Sequence, residues 1–69
     1  MKPSARNQLK GKVVAIEKGA VNAIVKIDIS SAVITSSITN TAVEELGLEV
    51  GKTAYAVVKA SNVMVGVDD

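Results

Sequence analysis

An all-β fold is predicted by three observations. β-branched residues dominate the apolar set, apolar and polar residues alternate at period two, and turn-forming residues recur at short intervals. Valine and isoleucine together number 18 of the 69 residues, and such side chains favour pleated, half-buried backbone. The alternation is cleanest over residues 21–29. There Val21, Ala23, Val25, Ile27 and Ile29 fall on one face and Asn22, Lys26 and Asp28 on the other, the signature of a strand with one buried side.

The preceding stretch, residues 9–17, is equally rich in Val and Ile, and Lys18-Gly19 supplies a turn between the two. A β-hairpin is the natural reading. Ser30-Ser31 makes a second turn and residues 32–39 a third strand. Thr41-Ala42-Val43-Glu44 fits a capping box, in which the Thr hydroxyl accepts the N–H three residues on while Glu44 reaches back. Gly47 follows as the stop of a short helix. Two last strands are expected over 53–59 and 61–67, with Gly51 in the turn ahead of them. Five strands with one short helix between the third and fourth give the element order of a small OB-like barrel, all-β, with residues 1–69 as a single domain.

A chain of this length buries a small share of its surface, and its stability as a monomer is marginal. There is no Cys and no His, which removes disulfides and the commonest transition-metal ligands. Further stabilisation then has to come from other subunits. The last two predicted strands agree: Ala54, Ala56 and Val58 occupy one face and Tyr55 and Val57 the other. A small barrel has one interior, so the second apolar face is expected at a subunit interface.

Several function classes drop out. With no His or Cys and no Ser-base constellation, an enzyme is not expected. The glycines at 11, 19, 47, 51 and 66 form neither a P-loop nor a dinucleotide fingerprint. A nucleic-acid-binding OB module would stack bases on aromatics over a basic groove, but the chain has one aromatic, Tyr55, and a net charge of +1. The longest uncharged stretch, residues 29–43, holds eight Ser, Thr and Asn residues, so it is no membrane span. No apolar leader follows Met1-Lys2-Pro3, and a cytoplasmic, soluble protein is expected.

The remaining chemistry lies in two segments, Ser4-Ala5-Arg6-Asn7-Gln8-Leu9-Lys10-Gly11 and Val57-Val58-Lys59-Ala60-Ser61-Asn62-Val63-Met64. Each joins at least one cationic side chain to hydroxyl and backbone N–H groups, and neither contains a carboxylate. A donor-only set suits a small oxyanion that accepts hydrogen bonds and gives none. Phosphate fits less well, because at neutral pH it often carries a proton that needs an acceptor.

On these two segments, and without a long gap from Ser4 to about Val67, the chain resembles the molbindins, stand-alone Mop-type molybdate-binding domains of the TOBE group. The resemblance implies an OB-like barrel assembled as a homohexamer, a trimer of dimers, that holds molybdate, and tungstate as well, at subunit interfaces for molybdenum storage or homeostasis. No cofactor is implied beyond the oxyanion ligand. Residue by residue it implies a site built from Ser4, Ala5 and Arg6, from Thr39 at the end of the third strand, from Ala42 at the helix start, and from Lys59, Ala60 and Ser61. Ala42 departs from the pattern, since related domains often carry Ser there and Ala42 offers only a backbone N–H. A second class of oxyanion site, near a threefold axis, would fall on the hairpin residues Gly19, Ala20, Val21 and Asn22. Gly19 also has a sufficient role as a turn residue. The rival readings are a structural oligomerisation module without ligand and an OB-type nucleic-acid-binding module.

Overall fold

The computed structural model describes residues 7–68; Ser4, Ala5 and Arg6 lie outside the described residues. Four strands form one antiparallel sheet: β1 (Asn7–Lys18), β2 (Asn22–Asp28), β3 (Val33–Thr39) and β4 (Thr53–Val58), in the order β3-β2-β1-β4. A short helix α1 (Asn40–Glu45) joins β3 to β4, and a 3-10 turn (Ala60–Asn62) follows β4. The fold class is the expected one: a curled antiparallel half-barrel with one short helix between the third and fourth strands. None of the described residues belongs to a helix long and apolar enough to cross a membrane.

The curl begins in β1. Its first half pairs with β4, from Asn7↔Val58 to Lys12↔Thr53, and its second half with β2, from Lys12↔Asp28 to Lys18↔Ala23. Between Val13 and Ala15 the register shifts, a bulge that bends the strand and increases its twist. Val13 is held there from both sides of its peptide, donating to the Lys52 carbonyl at 2.9 Å and accepting from the Gly51 N–H at 2.8 Å. Close approach at the bend requires Gly11, where an added Cβ would sit 2.8 Å from Ile27 Cγ2.

The concave face collects the core: Val13, Ala23, Val25, Ile27, Val43, Ala54 and Ala56 are buried, with Ile16, Ile29, Ile34, Ile38 and Leu48 packed around them. Full burial of a side chain such as Val13 or Val25 contributes about 1.5–3 kcal/mol. Most of the inner face read from the alternation is confirmed. Val21 is the exception, exposed in the turn before β2.

Two expectations are corrected. The helix is capped by Thr39, whose Oγ1 accepts from the Ala42 N–H at 3.0 Å, and not by Thr41. Thr39 keeps extended dihedrals as the last residue of β3, so the helix starts directly where the ladder ends. Glu44 points away from the cap to Lys18, 3.6 Å off and exposed. Gly47 ends the helix as expected, at φ 64°. Its N–H donates to Glu44 and the Leu48 N–H to Val43, both at 3.1 Å, which completes a Schellman motif with Leu48 near Val43.

The second correction is the fifth strand. Residues 63–68 form no strand, although their apolar alternation predicts one. Val63, Met64, Val65 and Val67 are all exposed. The 3-10 turn closes through Asn62 N–H to Lys59 O at 2.9 Å and Val63 N–H to Ala60 O at 3.3 Å, and it leads the chain off the ladder instead of reversing it into a hairpin.

Candidate functional site

Strand β1 sorts the candidate residues into two groups. Its twelve residues span on the order of 35 Å at about 3.3 Å per residue, close to the molecule's longest extent of 39 Å. Val58, and after it Lys59, Ala60 and Ser61, lie at the Asn7 end. Gly19, Ala20, Val21 and Asn22 lie at the Lys18 end, where Asn22 pairs with Thr39. Along the β1 ladder Thr39 and Ala42 thus belong to the opposite end from Lys59.

At the Asn7 end the donors converge on one short turn. The hydrogen bonds of the 3-10 turn use the N–H groups of Asn62 and Val63, so those of Ala60 and Ser61 are left over by the turn. Lys59 precedes them as N-cap, exposed, and takes part in neither ion pair found among the described residues. The Ser61 hydroxyl is exposed beside it. Asn7 lines a shallow depression at this end with Leu9, Val58, Ala60, Val63 and Val65. Asn7 is thus a polar neighbour of the site that the sequence argument passed over, although it stands inside the Ser4–Gly11 segment.

The Lys18 end has a different character. Ala42 spends its N–H on Thr39, and the Thr39 hydroxyl proton remains for another acceptor. Asn40, also passed over in the sequence, ties this end together. Its backbone N–H donates to Val21 O at 2.8 Å and its Nδ2 to Gly19 O at 2.9 Å. Its Oδ1 is buried without a partner. The signal that could have exposed Asn40 is its position, a carboxamide between a strand and the helix that caps on it. Lys18 is shared with Glu44, so this end carries acceptors as well as donors.

A chemical sorting follows. Around Lys59 stand one cation, one hydroxyl and two N–H groups that the 3-10 turn does not use, and neither ion pair among the described residues engages that cation. Around Gly19–Asn22 a cation is already neutralised. No group of three or more His, Cys, Asp or Glu among the described residues could hold a metal cation.

Known proteins are similar to this chain in sequence and fold. The TOBE domain family matches residues 3–65. The chain is 65% identical, over 99% of its length and 100% of the other's, to a probable molybdenum-pterin-binding protein of Haemophilus influenzae. Among solved structures, MopII from Clostridium pasteurianum superposes with a TM-score of 0.89 at 49% identity, covering 96% of this chain and 100% of that one. The cytoplasmic molybdate-binding protein ModG, solved with molybdate bound, gives a TM-score of 0.92 at 52% identity over 99% of this chain, which spans 49% of the ModG chain. This chain belongs to the TOBE family and, within it, to the Mop-type molbindins.

Proposed function

We propose that this chain is a cytoplasmic, non-enzymatic molybdate-binding protein that stores or buffers molybdenum, taking tungstate as well, and works as a single-domain homo-oligomer, a hexamer built as a trimer of dimers. The observation that carries this reading is the pairing of Asn7 with Val58. It sets the segment bonded to Arg6 against the segment that opens on Lys59, so the two donor-rich stretches of the sequence adjoin at one end of the sheet. Binding is reversible capture by hydrogen bonds and charge, with no bond made or broken.

One chain supplies only part of a ring of donors. Lys59, Ala60 and Ser61 follow β4 at the Asn7 end of the sheet, and Thr39 and Ala42 stand where β3 and α1 meet the Asn22 end of β2. An ion that draws on both groups would be held most directly between two subunits, the reading proposed for this chain. The names of the related proteins, molybdate-binding and molybdenum-pterin-binding, support the same ligand.

Calorimetric titration with molybdate, tungstate, sulfate and phosphate tests the reading. Molybdate and tungstate, equal in charge and nearly equal in size, should bind alike. Sulfate should bind more weakly because a smaller ion does not reach every donor, and phosphate should gain nothing for its proton. Equal affinity for phosphate would overturn the assignment.

A further inference from the structure

Asn40 stands between Thr39 and Ala42, the two residues proposed for the helix end of the oxyanion site, and it is bonded to the β1–β2 turn twice. Its backbone N–H donates to Val21 O at 2.8 Å, one step beyond the Asn22↔Thr39 pair that ends the β2–β3 ladder. Its Nδ2 donates to Gly19 O at 2.9 Å, and the Gly19 N–H closes the turn on Asn22 O at 2.7 Å. In the same segment the Ala42 N–H occupies Thr39 Oγ1 at 3.0 Å, so the Thr39 hydroxyl directs its own proton elsewhere. Beyond Asn40, the polar tie from α1 to this hairpin among the described residues is the exposed Lys18–Glu44 pair at 3.6 Å, and exposed pairs hold little.

Gly19 settles the orientation of the carboxamide, because the flipped group would set Oδ1 against a carbonyl oxygen. In this orientation Oδ1 is buried without a partner. A bond gained and an acceptor stranded oppose one another in stability, so folding alone gives little reason for a carboxamide here. What it does accomplish is geometric: one short side chain locks the start of α1 to a turn 21 residues earlier.

We infer that Asn40 is a positioning residue of the oxyanion site, touching no ligand itself and holding the Thr39 hydroxyl where a bound dianion accepts from it. This deepens the function proposed above and rests on it. Fixed donors discriminate by size, because only an ion that spans them meets all of them at once. Without the Asn40 carboxamide the helix start drifts. Molybdate then loses a well-placed donor, while the smaller sulfate, which does not reach every donor, has less to lose.

Calorimetric titration with molybdate and sulfate is run on the wild-type protein, on Asn40→Ala, on Thr39→Ala and on the double variant, with urea unfolding and light scattering on each. Asn40→Ala should weaken molybdate binding about tenfold, the lower end of what loss of an outer-shell partner costs, and should narrow the preference over sulfate, with fold and assembly retained. In the Thr39→Ala background the same substitution should change molybdate affinity less than about twofold, since no hydroxyl is left to position. Weakening by Thr39→Ala with Asn40→Ala unchanged would overturn the inference alone. Equal losses for both ions, additive losses in the double variant, or unfolding of Asn40→Ala would also overturn it, because the side chain then acts on the fold as a whole. No molybdate binding by the wild-type protein, or none lost in Thr39→Ala, would overturn the proposed site and the inference with it.

Discussion

The Asn40 carboxamide donates from Nδ2 to the Gly19 carbonyl at 2.9 Å, tying the first residue of α1 to a turn 21 residues earlier. The same side chain leaves Oδ1 buried and unpartnered, so one residue carries a gain and a cost. A neutral hydrogen bond contributes about 0.5–1.5 kcal/mol net, and an unsatisfied buried acceptor costs about 1–3 kcal/mol. Asn40→Ala removes both and should change the unfolding free energy by less than about 1 kcal/mol. Asn40→Asp replaces the donor with an oxygen facing the Gly19 carbonyl and should cost more than about 2 kcal/mol. Urea unfolding of both variants checks the order, and equal losses would contradict the two-sided account.

The position of the helix cap is tested by two threonines. Thr39→Ala deletes the oxygen that accepts the Ala42 N–H and should cost about 1 kcal/mol. Thr39→Ser keeps the acceptor and should restore most of it. Thr41 is exposed inside the helix, and Thr41→Ala should be neutral or slightly stabilising, since Ala is the better helix former. Thermal unfolding distinguishes them, and a larger loss at Thr41 would return the cap to the position the sequence pattern suggests.

Lys59 is the cation at the Asn7 end that neither ion pair engages. Lys59→Met keeps much of the apolar stem and removes the charge and its donors. Hydrogen bonds to charged groups contribute about 1.5–3 kcal/mol, so molybdate affinity should fall roughly 30- to 150-fold, about 2–3 kcal/mol. Lys26, exposed in the middle of β2, is the control, and Lys26→Met should leave affinity within about twofold, since an exposed charge at a distance is screened. Equal weakening by both substitutions would make the effect one of general charge.

Much of the sheet was legible because period-two alternation reports directly on burial. The stretch from Ala23 to Ile27 was readable for that reason, and β1, β3 and β4 were placed to within a few residues. The cap was misplaced because Thr41–Glu44 completes a four-residue pattern that Thr39–Ala42 lacks, whereas the end of the β3 ladder decides the actual start. The tail misled for a different reason. Alternating Val63, Val65 and Val67 encode a strand, but a strand signal does not encode a neighbouring edge, and within the chain these residues find none. The candidate site was legible as residue types in two segments. That Thr39 and Lys59 stand at opposite ends of β1 depends on the pairing register, and no single position in the chain carries it.

The length of β1 has an electrostatic consequence for loading. A dianion held beside Lys59 and another held at the Gly19–Asn22 turn of the same chain are separated by on the order of 30 Å along the strand. At physiological ionic strength charges are screened over about 8 Å. If both ends took an ion, the first would add almost nothing to the work of bringing in the second, and the two would fill independently as far as charge is concerned.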